Sequence, residues 1–444
     1  MGARDEAVAV DEPASSAYDG AYNNPAYRWY VLFVLMGVYT FNFLDRRILV
    51  ILQEPIRREM QLSDTQLGLL TGFTFAMVYT TGGILAGRMA DRGGRRSMVA
   101  LALAIWSGAT ALSSLAQNYL QLLGARIGVG IGEAGCSPPA HAMISDIFSP
   151  RVRATALSIY NLGINFGALI GFWLGGFLAY EFGWRTAFVV VGLPGVLYAL
   201  LVRLTVAEPP RGFAEHRVAG GEPVPRLRDV ARILLRQRTF RHMCAAGTLH
   251  AFVSYGVIDF TAPFLARVHD LDSRTIGFWL ALSAGVFGAV GTFLGGYLGD
   301  RLGARDPRWY LWVPAIATFL SLPFAVAVYM LPDTGLILYL NFIPAVTFAM
   351  YLAPTIALTH SLVGLRMRAV SSALLFFFFH VFGMGLGPVF TGMLSDALKP
   401  EYGEYSLRYA MTFTFATVAL WSGVHYVLAA RWVRQDLAAA RPGT

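Results

Sequence analysis

Apolar residues run along this chain in long blocks rather than on alternating faces. From residue 29 to residue 433, about twelve stretches of 18 or more mostly apolar residues follow one another, separated by short polar loops. As a helix, each is long enough to cross roughly 30 Å of hydrocarbon. The pattern predicts spans from residue 28 into the 40s and over 65–86, 97–116, 120–148, 153–180 and 186–206. Six more are predicted over 243–266, 275–298, 309–330, 336–362, 367–397 and 407–432. The alternating ten-residue pattern of a membrane β-barrel is absent. Residues 208–241 interrupt the blocks with eight arginines and four prolines, and read as a linker with a short amphipathic helix over 227–235. The expected division is a tail at 1–27, a six-helix bundle at 28–207, the linker at 208–241, a second bundle at 242–433 and a tail at 434–444.

Composition agrees with this picture: 56% of residues are hydrophobic and 14% charged, so the bilayer is the solvent. A net charge of +8 raises the question of nucleic acid, but the arginines sit in short loops between apolar runs and no nucleic-acid partner is expected. With the amino terminus cytoplasmic, loops on the inside collect roughly three times the basic residues of those outside. Both termini are therefore expected in the cytoplasm. The first 27 residues are acidic and have no apolar core, which argues for a disordered tail and against a signal peptide. Cys136 and Cys244 fall in hydrophobic stretches and are expected to be free, buried thiols.

The two halves repeat. Gly87, Asp91, Arg92, Gly94 and Arg96 recur at one offset as Gly296, Asp300, Arg301, Gly303 and Arg305. After the fourth span of each half, Pro139, Arg151, Arg153 and Ala154 recur as Pro354, Arg366, Arg368 and Ala369. Two related halves around a path at the membrane centre is the organisation of secondary transporters. The loop GRMADRGGRR at 87–96, which includes Arg95, resembles the signature loop of the major facilitator superfamily. That resemblance covers all twelve spans and implies that the loop stabilises one state of a two-state gate. Gly87, Asp91, Arg92, Arg95, Arg96, Arg153, Asp300 and Arg301 are then the gating candidates. FNFLDRRI at 41–48, LSDTQLGLL at 62–70, GIGEAG at 130–135 and PRVRATALSIYNLG at 150–163 resemble the Spinster branch of the superfamily. This narrower resemblance implies an amphipathic lipid substrate with a phosphate-bearing head, of the sphingosine-1-phosphate or lysophospholipid type. With arginine outnumbering a single lysine, the setting it suggests is a bacterial inner membrane.

Candidate chemistry concentrates in the fourth span. Arg126 and Glu133 are two helical turns apart on nearly one face, about 10 Å along the axis. Charges at that depth cost several kcal/mol, so they pair with one another or line a cavity. Asp45 on the first span is a partner for Arg126, and Arg46 or Arg47 could approach Glu133 or an anionic substrate. A carboxylate such as Glu133 can take up and release a proton as the cavity opens to either side. In the second half, His250, Tyr255 and Tyr351 are candidates for an aromatic, more apolar wall, and Asp259 for a place near the outer mouth. Gly163, Gly167, Gly171 and Gly175 form a ladder at four-residue spacing that suits close packing and sliding of the halves. No histidine and carboxylate spacing suits a metal, and no GK pair exists for a P-loop, so neither cofactor nor enzyme is expected and energy comes from a gradient. The expected protein is an all-α, monomeric transporter working by alternating access, with protons as a coupling ion. The other transport class is a proton antiporter exporting small drugs or organic anions.

Overall fold

The computed structural model describes residues 20–92, 94–149, 152–210, 213–215, 227–364 and 367–440, and contains no strand among them. Twelve long helices carry the fold. In the first half they are α1 (Pro25–Met60), α2 (64–92), α3 (Arg95–Leu115), α4 (119–147), α5 (153–182) and α6 (184–205). In the second they are α7 (Arg238–Val268), α8 (Ser273–Gly303), α9 (Trp309–Met330), α10 (Thr334–Ser361), α11 (368–402) and α12 (Ser406–Ala440). A short helix, Leu227–Arg236, precedes α7. Among the described residues, seven helical stretches are long and apolar enough to cross a membrane unaided, and two of these, Thr155–Thr205 and Val370–Ala439, each contain two crossings. The other three, α1, α2 and α4, carry the charged and polar residues of the site described below.

Local sequence sets the ends and the breaks. Asn24 caps α1 by accepting from Ala26 N at 2.9 Å, with Pro25 at the first helical position. Ser63 and Gln66 form a reciprocal capping box at the start of α2. Between α5 and α6, Gly183 has φ 81, which a glycine adopts without a Cβ clash. Two helices break beside an acidic residue. In α4, a turn at Gly135 and Cys136 follows Glu133, because Pro138 and Pro139 cannot donate to the carbonyls of Ala134 and Gly135. In α7, a turn occurs at Asp259 and Phe260, because Pro263 cannot donate to Asp259. Three helices at the junction of the halves carry a π-helical turn: Leu69–Phe73 in α2, Ala281–Phe287 in α8 and Phe379–Met384 in α11. Such turns recur at functional sites, where they re-aim side chains.

The face where α1 begins and α12 ends is called here the terminal face, and the opposite one the far face. Toward the far face one cluster of buried apolar side chains runs through both halves, with Ile48 and Phe172 from the first and Phe260 and Met411 from the second. Toward the terminal face it divides, one cluster around Trp106 and Tyr160 and another around Phe240 and Tyr426. The halves are thus closed on the far side.

Glycines show where backbones touch. The α5 ladder packs on α1 within its own half: a Cβ at Gly171 would lie 3.0 Å from Arg47 Cβ, and one at Gly175 would lie 2.9 Å from Ile51 Cγ2. The expectation that this ladder lets the halves slide is therefore corrected. On α5 the glycine that meets the other half is Gly176, where a Cβ would fall 2.8 Å from Gly277 Cα of α8. Forcing extra carbon into such a contact costs about 1–3 kcal/mol. Gly176→Val is expected to favour opening of the far face by roughly 5-fold or more, read as longer spin-label distances between α5 and α8. Gly175→Val should lower stability without lengthening them.

Candidate functional site

The charged residues of α1, α4 and α7 meet at the centre of the bundle. Successive residues on α1 point in different directions, so Asp45, Arg46 and Arg47 diverge. Arg46 Nε donates to Glu133 Oε2 at 2.6 Å, and Glu133 is fully buried. The Arg46 guanidinium also lies over the rings of Phe43, Phe75 and Tyr79, at 5.1, 4.7 and 5.0 Å. Arg47 Nη1 donates to Asp259 Oδ1 at 3.3 Å, joining α1 to α7 across the two halves. Arg126 is buried over Phe75, 5.3 Å from the ring centroid, and among the described residues forms no ion pair. Its Nε has no hydrogen-bond partner. Asp45 is buried and faces Thr110 and Trp106 of α3 without completing a hydrogen bond. The expected pairing of Asp45 with Arg126 is not formed; the Arg126 guanidinium lies over the ring of Phe75 instead.

These groups border a cavity of about 20 Å³, room for roughly one water. Arg46, Arg47 and Arg126 line it with Asp259, and Phe43, Phe75, Tyr255 and Met384 supply apolar surface. Thr71 and Met384 reach it from the π-helical turns of α2 and α11. Ligand-sized pockets run to several hundred Å³, so the cavity is contracted in this conformation.

The other expected wall residues separate. Tyr255 lines the cavity. His250 does not: it is buried in the second half, its Nε2 is 2.7 Å from Phe348 O, and its ring stacks between Phe348 and Tyr351 at 3.6 and 3.9 Å. Tyr351 is committed to that stack and to Phe379. His250 is a packing residue here, whereas Tyr351 is half-buried. Asp259, expected near the outer mouth, sits on the cavity wall, so the second half contributes charge as well as aromatic surface.

A second charged cluster lies between the cavity and the far face. Arg267 of α7 donates to Glu54 Oε2 of α1 at 2.7 Å and to Asp64 Oδ2 of α2 at 2.9 Å. Ser395 of α11 donates to Asp64 Oδ2 at 2.7 Å, and Asp396 accepts from Thr65 N and Oγ1 at 2.8 and 2.6 Å. Among the described residues, the hydrogen bonds and ion pairs that join the halves all lie at the cavity or on its far side. The sequence reading missed this cluster. Its signal was present as charges beside short far-face loops, Glu54 with Arg57 and Asp64, and Arg267 before residue 270.

On the terminal face, the side chains of Gly87, Asp91 and Arg92 lie outside the described residues. Arg95 N and Arg96 N both donate to the carboxylate of Glu208, at 2.9 and 2.8 Å, and Arg95 also pairs with Asp146. Arg153 donates to Ser145 O at 2.8 Å, tying the start of α5 to α4. In the second half, Asp300 accepts from Tyr310 at 3.0 Å and Arg301 donates to Tyr297 at 2.5 Å. All of these contacts stay within one half.

Residues 35–388 match the Major Facilitator Superfamily. The chain is 36% identical to an MFS-type efflux pump of Mycolicibacterium smegmatis over 416 residues, 94% of this chain and 95% of that one. It is 26% identical to Protein spinster homolog 3 of Danio rerio, across 92% of this chain and 86% of that protein. A solved structure of a bacterial homologue of the human lysosomal transporter Spinster, in an inward-facing and unoccupied conformation, aligns with a TM-score of 0.86 at 32% identity, covering 93% of this chain and 99% of that one. With its twelve helices in two related halves around a charged central cavity, the chain belongs to the major facilitator superfamily of transporters and is Spinster-like within it.

Proposed function

We propose that this protein is a secondary transporter that moves an amphipathic lipid with an anionic, phosphate-bearing head across a bacterial inner membrane by alternating access. The observation that carries the reading is Arg126, a guanidinium that lines the cavity beside aromatic carbon and forms no ion pair or hydrogen bond among the described residues. A buried cation that no carboxylate pairs with directly is costly. An anionic head group of the sphingosine-1-phosphate or lysophospholipid type would supply its partner, while Phe43, Phe75, Tyr255 and Met384 take the first carbons of the tail. The contracted cavity must widen for this, which a rocking of the halves provides. With both termini in the cytoplasm, the terminal face is the inside and the conformation is closed toward the outside. The name of the Spinster structure, inward-facing, supports that orientation.

Glu133, buried and held by Arg46, is the proposed coupling carboxylate, exchanging a proton or its cation as substrate enters. A second reading is supported by the efflux pump to which the chain is 36% identical: export of small drugs by proton antiport. Counterflow in liposomes separates the two. Sphingosine-1-phosphate or a lysophospholipid is expected to exchange, a cationic dye is not, and the reverse result favours drug export. Glu133→Gln is expected to flatten the response to a pH gradient in the same assay. Transport at the wild-type rate with unchanged pH dependence would overturn the coupling role.

A further inference from the structure

The ion pair between Arg47 and Asp259 has a double position: it lies on the cavity wall, and it ties α1 of one half to α7 of the other. It is the looser of the two pairs at the cavity. Arg47 meets Asp259 at 3.3 Å through one nitrogen, whereas Arg46 meets Glu133 at 2.6 Å. Arg47 Nε is buried without an acceptor, so the guanidinium keeps an unused donor. Three guanidinium groups line the cavity, and Asp259 is the one carboxylate among its lining residues. The proline-imposed break in α7 holds that carboxylate at the wall.

We propose that Asp259 is an internal counter-anion that sets charge selectivity. It holds Arg47 while the cavity is contracted, and an anionic head group entering the cavity takes Arg47 from it. The exchange removes a bond between the halves, so occupancy by an anion loosens the far side, whereas a neutral or cationic amphiphile leaves the bond in place. No covalent bond forms or breaks and no proton moves. The inference rests on the reading of the substrate as anionic.

The test compares lysophosphatidate with lysophosphatidylcholine, which share a tail and differ in head charge, as substrates of the purified full-length protein in liposomes. Asp259→Asn removes the competing charge and keeps the shape. It is expected to lower KM for lysophosphatidate by about 5-fold or more relative to its effect on lysophosphatidylcholine, and to lengthen spin-label distances between the far ends of α1 and α7 without substrate. Arg47→Gln is expected to raise KM for lysophosphatidate. A brace with no part in recognition gives the other pattern, in which both variants raise KM or lose transport together. That result overturns the inference while the wild-type protein's preference for lysophosphatidate keeps the substrate reading. A wild-type protein that moves neither lipid but exchanges a cationic dye overturns both. Melting temperature and monodispersity in detergent, measured for each variant, separate misfolding from the loss of a contact, and Arg47→Gln/Asp259→Asn provides a second route with the charge balance restored.

Discussion

Arg267→Gln is expected to move the resting protein from closed to open on its far face. The Arg267 side chain is 3% exposed and serves two carboxylates of the other half at once, Glu54 at 2.7 Å and Asp64 at 2.8 Å. One nitrogen of the fork donates to Asp64 Oδ2 while a second donates to Glu54, a two-way reach that a single ammonium reproduces poorly. Removing the cation leaves Asp64 buried without an ion-pair partner, while Glu54 keeps Arg57 and Arg58. Breaking a buried pair in this way costs about 3–5 kcal/mol, and that cost falls on the closed state because the partners are on opposite halves. A shift in the closed-to-open ratio of more than about 100-fold follows. Spin-label distances between the far ends of α1 and α7 should lengthen, and counterflow should fall at least about tenfold because the return to the closed state is impaired. Arg267→Lys should fall between the two. Arg58→Gln is the control: Arg58 also binds Glu54, at 2.9 Å, but its side chain is 63% exposed, and an exposed pair contributes about 1 kcal/mol or less. Unchanged label distances in Arg267→Gln would mean that the apolar contacts around Phe172 and Phe260 close the far face without it.

The fold was legible because it depends on block lengths. Apolar runs long enough to cross hydrocarbon need no partner to be recognised, and the offset repeat from Gly87 to Gly296 gives the two halves directly. The site was legible only in part, for a physical reason in each case. Arg46, Arg126 and Glu133 stand out because a charge inside an apolar run is costly wherever it points. Which guanidinium meets Glu133 depends on rotation about α1 and on the break after Glu133, and one residue of rotation turns a side chain by about 100°. Asp45 and Arg126 were matched on depth alone, and depth does not fix azimuth. His250 and Tyr351 looked like cavity residues because aromatic and imidazole groups suit both a cavity wall and a packed core. Only the stack on Phe348 shows that His250 belongs to the core, with Tyr351, half-buried, on its other side. Asp259 was expected near the outer mouth, whereas α7 breaks at this residue and resumes, leaving the carboxylate at the cavity. The Arg267 cluster joins residues more than 200 positions apart, and no local pattern announces such a contact.

Arg46→Met tests whether the central pair is a brace or part of the transport cycle. Arg46 holds the buried Oε2 of Glu133 at 2.6 Å, and the other oxygen of Glu133 is already without a partner. Methionine keeps much of the stem that lies against Phe43, Phe75 and Tyr79 but removes the charge. The single variant is therefore expected to lose about 3–5 kcal/mol while Glu133 stays ionised, seen as a lower melting temperature, and to lose transport by about 100-fold or more. Stability alone does not distinguish the two roles, because any broken buried pair would lower it. The double variant Arg46→Met/Glu133→Gln does distinguish them. Replacing both members of a buried pair by uncharged groups of similar volume is commonly neutral or stabilising, so its melting temperature should return close to that of the wild type. Transport should stay lost, because neither the coupling carboxylate nor the cation it exchanges is restored. If transport returned along with stability, Arg46 and Glu133 would be a brace between α1 and α4, and recognition of the anion would fall to Arg47 and Arg126 alone.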